Sequence, residues 1–440
     1  VASNWTSFRN GGGAESAAGV KRLPLRWSPS QNIAWKTELP GYGQSSPVVW
    51  GNRVFATSVQ GPQRERCLVH ACDLKSGKLL WSRSFASNLL HEMSYYVSRA
   101  APTPVVDSKG VYAFFESGEL AALDHSGKTL WSRALVKEYG MLTNEFGIGQ
   151  SLAQNADTVF VLVDDPGVAY LLAVDKKTGK NRWKVAREPR KSWTSPVVAK
   201  QGEKEIIIVS ANGFVEGFDS KDGSLLWSVN RMTGNIMPSV CVDGDSVFVG
   251  ATPAQARLAR PGGRTAAESN CCLRLTTKDG KPSAEVVWEG KKATCDFASP
   301  LAYRGLVHYV TAAGVVFCVD AKTGKELYSE RIDSPCWASP LAVGEHVYFF
   351  GKNGITTVIK AGPVFAKVAS NPLWDTQNPP KTKEPFSTTP NNPGAGGPPR
   401  GAGGAASNSG SDSLDPILYG YAALDSQLVI RLGSHLFCVR

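Results

Sequence analysis

No run of about 20 apolar residues occurs in this chain, so no helix of it is long and apolar enough to cross a bilayer. Histidine is scarce: His70, His91, His125, His308, His346 and His435 are scattered, and His91-Glu92 reads as a solvated turn. There is no Cys-x-x-Cys and no His-x-x-x-His, which removes the common zinc spacings. There is no Gly-x-Ser-x-Gly elbow and no phosphate-cradling glycine loop. No carboxylate-rich stretch offers a calcium cage. An initiating methionine is missing too. The opening Val1-Ala2-Ser3 fits either removal of an export signal or trimming.

What is present is apolar and turn-forming. The 440 residues are 42% hydrophobic, with 44 glycines and 41 aromatic side chains. Glycine turns between aromatic-rich segments favour an all-β chain. The net charge is +10, which suits either an anionic partner or general solubility. Its densest cluster, Arg182 to Lys191, is broken by Val185, Ala186, Glu188 and Pro189. No nucleic-acid partner is expected.

One phrase recurs. It reads Ala71-Cys-Asp-Leu-Lys-Ser-Gly-Lys-Leu-Leu-Trp81, then Ala122-Leu-Asp-His-Ser-Gly-Lys-Thr-Leu-Trp131. Further copies place Asp175 before Trp183, Asp219 before Trp227, and Asp320 before Tyr328. Asp73, Asp124, Asp175 and Asp219 are spaced by 51, 51 and 44 residues, a blade-sized period. The aspartate can accept turn N–H bonds, the glycine supplies a positive φ, and the tryptophan can cover the next blade.

A second phrase opens each unit: Ser46-Pro47, Thr103-Pro104, Ser195-Pro196, Pro238-Ser239, Ser299-Pro300 and Ser339-Pro340. Proline is tolerated at the first residue of a strand. Seven units begin near Ser45, Ala101, Gly147, Ser192, Ile236, Asp296 and Trp337, and an eighth spans Tyr419 to Arg440. The eighth stops short of its outer strand, which reappears at Asn32 to Leu39. The expected fold is an all-β, eight-bladed β-propeller of four-stranded antiparallel blades. The N-terminal strand completes the last blade, which removes open sheet edges. Residues 1–30 form an extension packed on the rim through Trp5, Phe8 and Trp27, and residues 31–440 form one propeller. A Pro/Gly-rich insertion at about 371–415 and another at 254–269 interrupt it.

The Ala-x-Asp-x-x-x-Gly-x-x-x-Trp phrase resembles the tryptophan-docking repeat of pyrroloquinoline-quinone (PQQ) propellers. The opening, Asn4-Trp-Thr-Ser-Phe-Arg9 with Leu25-Arg-Trp27 and Ala34-Trp-Lys36, resembles exported PQQ-like repeat proteins of planctomycete-type bacteria. The same repeat builds quinoprotein dehydrogenases and the BamB-type scaffolds of outer-membrane barrel assembly. The resemblance therefore implies a periplasmic, cell-envelope or secreted protein, but fold does not carry function with it. A dehydrogenase would require PQQ and calcium, and several such enzymes join adjacent cysteines. The adjacent pair Cys271-Cys272 is the one feature here pointing that way, against its alternative as ordinary strand packing.

The expectation is a non-catalytic scaffold or recognition module without a cofactor, monomeric, meeting a protein partner or an anionic envelope polymer. The alternatives are a PQQ-dependent oxidoreductase of alcohols or sugars and a carbohydrate-binding propeller. Loops entering the innermost strands would surround the channel mouth with Tyr42, Gln44, Arg99, Gln150, Trp193, Asn235, Asp296, Trp337 and Tyr419. Trp193 and Trp337 could equally be channel filling. Cys295 and Cys336 precede the innermost strands of adjacent blades. They are either a disulfide or two free thiols.

Overall fold

In the computed structural model, residues 4–13, 17, 19–90, 98–253, 262–380 and 420–440 are described. They form eight four-stranded antiparallel sheets arranged as an eight-bladed propeller. Blade 1 shows the plan: Val48–Trp50 innermost, then Arg53–Gln60, Arg66–Asp73 and Leu79–Ala86 outermost. The two middle strands are apolar on both faces because each blade is covered by a neighbour on either side. The outermost strand alternates, since its edge meets water.

The turn phrase works as its chemistry predicts. Asp73 Oδ1 accepts from Ser76 N (2.8 Å) and Ser76 Oγ (2.7 Å), and Gly77 takes φ 73°. The tryptophan that follows reaches across to the next blade. Trp81 Nε1 donates to His125 O (3.1 Å), Trp131 Nε1 to Lys176 O (2.9 Å) and Trp183 Nε1 to Ser220 O (3.0 Å). Each ring lies on the turn glycine of the blade it meets. A Cβ on Gly127 or Gly179 would come within 2.7 Å of the Trp81 or Trp131 ring. A bulge beside the turn, between Ala71 and Cys72 and at the matching site of other blades, kinks the pairing of the outer two strands there.

Two tryptophans outside the five copies do the same. Trp288 Nε1 donates to Ala321 O (2.9 Å), and Trp35 Nε1 to Leu74 O (2.9 Å). Trp35 lies on the strand Ile33–Glu38, which pairs antiparallel with His435–Val439 and closes the ring. Blade 4 departs from the rule. Blade 5 offers no matching turn, and Trp227 Nε1 donates to Gln201 Oε1 (2.9 Å) in its own blade. Gln201 Nε2 then bonds Thr276 O and Ser283 O of blade 5, so a glutamine relay replaces direct contact.

The Ser/Thr-Pro phrase does more than start a strand. Ser46 N donates to Thr103 Oγ1, Thr103 N to Ser151 Oγ, Ser151 N to Ser195 Oγ, and Ser195 N to Ser239 Oγ. Ser239 N continues to Ser299 Oγ and Ser299 N to Ser339 Oγ, at 2.8–3.1 Å throughout. A chain of hydroxyls thus stitches successive blades around the channel.

The N-terminal segment is where expectation and structure part. Trp27 does lie beside blade 7, its backbone N–H donating to Asn371 Oδ1 (3.2 Å). Trp5 to Gly13, however, crosses the channel at the ends of the innermost strands. Trp5 pairs with Val49, Thr6 O accepts from Val106 N, and Gly13 bridges Val242. The channel is the one place where a short segment can meet backbone groups of several blades at once. Blade 7 ends on Lys367–Pro372 with Leu373 and Trp374 buried, so the folded blade runs on beyond Asn371. Of the insertion in blade 5, Ala266–Ser269 is a short helix with a Thr265–Glu268 capping box. Residues 254–261 and 381–419 lie outside the described residues.

Candidate functional site at the channel mouth

The residues expected at the mouth fall into three groups on separate walls. Tyr42, Gln44 and Arg99 form the first, where blades 8, 1 and 2 meet. Gln44 N donates to Arg99 O (2.9 Å) and Arg99 N returns a bond to Gln44 Oε1 (2.8 Å). The buried Arg99 guanidinium sits 4.0 Å from the centre of the Tyr42 ring. This group fastens loops together.

Gln150, Trp193 and Asn235 form the second, between blades 3 and 4. Gln150 Nε2 donates to the carbonyls of Asp164 and Ser192, and Asn235 Nδ2 to Phe214 O (3.0 Å). Trp193 is held at both ends: its backbone N–H donates to Ile236 O (2.6 Å) and Nε1 to Gly147 O (3.0 Å). Alongside is a buried ionic network that sequence reasoning missed. Arg187 donates from Nε to Asp164 Oδ1 (3.0 Å) and from Nη1 to Glu216 Oε2 (2.6 Å). Burial works against the Arg187 charge, but the two carboxylates outweigh it and hold its pKa above the ordinary range. Arg190 lies 5.0 Å from the centre of the Phe214 ring; burial and the like charge of Arg187 push its pKa down. Gln150 Oε1, Asn235 Oδ1, Asp164 Oδ2 and Arg187 Nη2 are buried without a hydrogen-bond partner among the described residues. Such groups are ordinarily met by water or a ligand.

Asp296 and Trp337 form the third group, between blades 6 and 7. Asp296 Oδ2 accepts from Ala312 N (2.5 Å), and burial raises its carboxyl pKa. Trp337 packs on Phe297 with ring centres 4.3 Å apart, and Lys352 Nζ lies 4.6 Å from its ring. Trp193 and Trp337 are half-buried and pinned to different walls. Tyr419 lies outside the described residues.

Beside Trp193 the surface carries the Phe146 ring and the exposed Lys191–Glu145 ion pair. Met141 is 51% exposed and Phe146 37%. The Phe146 ring centre is 6.4 Å from that of Trp193. No periodic pattern marks these loop residues. The ionic network did leave a trace: Asp164 ends the apolar run Val159-Phe-Val-Leu-Val163, and Glu216 interrupts Phe214-Val-Glu-Gly-Phe218.

The cysteines are all buried free thiols. Cys295 lies in the packing between blades 5 and 6 and Cys336 in that between blades 6 and 7, so of the two alternatives the structure has separate thiols. Cys271 and Cys272 are successive residues of the strand Cys271–Lys278 and face opposite sides. Cys271 packs toward blade 4 and Cys272 toward blade 6.

Comparison with known proteins follows the repeat. A family model described as "Outer membrane protein assembly factor BamB" matches residues 26–147, 125–267 and 273–393. The chain belongs to this family of PQQ-like β-propellers. It is 31% identical to the BamB of Moranella endobia (strain PCIT) over 186 residues, 42% of this chain and 43% of that one. The match thus spans less than half of that relative. It is also 22% identical to the tetrathionate hydrolase of Acidithiobacillus ferrooxidans, covering 74% of this chain and 78% of that protein. The crystal structure of BamB from Moraxella catarrhalis superposes with a TM-score of 0.59 at 11% identity, over 92% of this chain and 96% of that one. That likeness is one of fold.

Proposed function

We propose that this chain is an exported, non-catalytic scaffold of the cell envelope that binds a protein partner through the channel mouth at blades 3 and 4. Membership of the BamB family supports a role in outer-membrane protein assembly. The observation that carries the site is the exposed Phe146 beside Trp193, which is anchored at both ends next to a buried ionic network. A rigid aromatic anchor with a second exposed ring and a flanking arginine is the composition of an interface centre.

The protein would work without PQQ. The packing of Cys271 and Cys272 on opposite faces of one strand supports this reading.

The test is a photoreactive amino acid placed at Phe146, with the same probe at the exposed outer-strand Leu130 as control, followed by irradiation in the envelope of the producing cell. A discrete adduct at 146, absent at 130 and lost in Trp193→Asp, is expected. Equal labelling at both positions sinks the site. Reduction of a dye with alcohols or sugars after loading with PQQ and calcium would sink the non-catalytic reading.

A further inference from the structure

The channel segment holds a charge that the scaffold role does not use. Arg9 is only 7% exposed, and it points into the channel. Its Nη1 donates to Val240 O (3.1 Å), and its Nη2 to Pro300 O (3.0 Å) and Gly12 O (3.4 Å). These acceptors are neutral carbonyls, and no carboxylate of the described residues forms an ion pair with it. A guanidinium taken out of water without an opposite charge is costly.

The backbone that delivers it is strained. Arg9 (φ 51°) and Asn10 (φ 47°) are both left-handed, ahead of Gly11 and Gly12 at φ 97° and 77°. Each non-glycine residue there costs roughly 1 kcal/mol or more. A solvent-facing arginine would not need that turn.

Beside Arg9 is a cavity of about 40 Å³, with Ser7, Gln154, Ser195 and Ser239 among its walls and no Asp or Glu. Ser195 Oγ and Ser239 Oγ each accept one N–H from the hydroxyl chain, which leaves their O–H hydrogens to donate. Gln154 Nε2 is spent on Thr6 O and Val106 O, and its Oε1 on Lys176 Nζ. The walls therefore offer donors and positive charge, in a space with room for a small anion such as chloride.

We propose that this cavity is a halide site, in which chloride is held by the Arg9 guanidinium and serine hydroxyls and locks the N-terminal segment into the channel. The site does not rest on the channel-mouth reading: none of Trp193, Phe146, Asp164, Arg187 and Glu216 lines the cavity.

Melting of the full chain is compared in sodium chloride and sodium gluconate at equal ionic strength. Chloride is expected to raise the Tm with the logarithm of its concentration above Kd, by about 1–3 °C at tenfold excess. Arg9→Gln is expected to abolish the difference between the salts. A crystal grown in bromide is expected to show an anomalous peak beside Arg9, which decides the matter in the parent protein even if the variant does not fold. Superimposable melting curves in the two salts, or bromide crystals without that peak, overturn the proposal.

Discussion

His308 is wholly buried, with Nε2 3.2 Å from the Tyr328 hydroxyl. Burial lowers its pKa from 6.5 to about 4. The unfolded chain therefore binds a proton that the folded one refuses, and stability present above pH 6.5 is lost as pH falls toward 4. A shift of this size corresponds to about 3 kcal/mol. His70, lowered to about 3 by burial and then by Arg431, adds a loss of the same sign. Urea unfolding between pH 7 and 4 should show this decline, and a His308→Gln variant should show a shallower one. An unchanged slope in the variant would mean that the burial of His308 does not set the acid limit. Sequence alone left these histidines as scattered singletons. Their meaning depends on neighbouring blades closing over them, which no local pattern states.

The element that makes the ring is the outer hairpin with its tryptophan. Trp131→Ala removes the bond to Lys176 O and the ring over Gly179, and should cost about 3 kcal/mol. Gly179→Ala forces a side chain onto φ 71° and into the Trp131 ring, and should cost more than about 1 kcal/mol. The two costs should not add. Without the ring only the backbone penalty remains, so Gly179→Ala should be milder in the Trp131→Ala background. Strict additivity in denaturant titrations would refute ring-on-glycine packing. The phrase was legible because aspartate, glycine and tryptophan sit within one hairpin at fixed offsets. Trp288 escaped because its offset from Gly280 is eight residues, against four from Gly77 to Trp81. Its role emerges only where the ring meets Gly324 of the next blade.

For the whole molecule, closure and plugging are separable. Removing residues 1–31 takes away the channel segment but keeps Ile33–Glu38 on His435–Val439. That truncation should keep the hydrodynamic size of the parent and melt several degrees lower. Removing residues 1–39 also bares the edge of His435–Val439, and self-association in light scattering is expected. Identical behaviour of the two truncations would show that the strand does not close the ring. The amino-acid sequence by itself determined the number of blades, their turn chemistry and the strand that completes the last one. Each of these is written in residues close together in the chain, or in a unit visibly missing one strand. Tertiary structure alone decided that the Ser-Pro hydroxyls join into a chain, that Asp164, Arg187 and Glu216 meet, and that Arg9 ends inside the channel. Arg9 bonds carbonyls 231 and 291 residues away. Only the closed ring brings such groups within hydrogen-bonding distance.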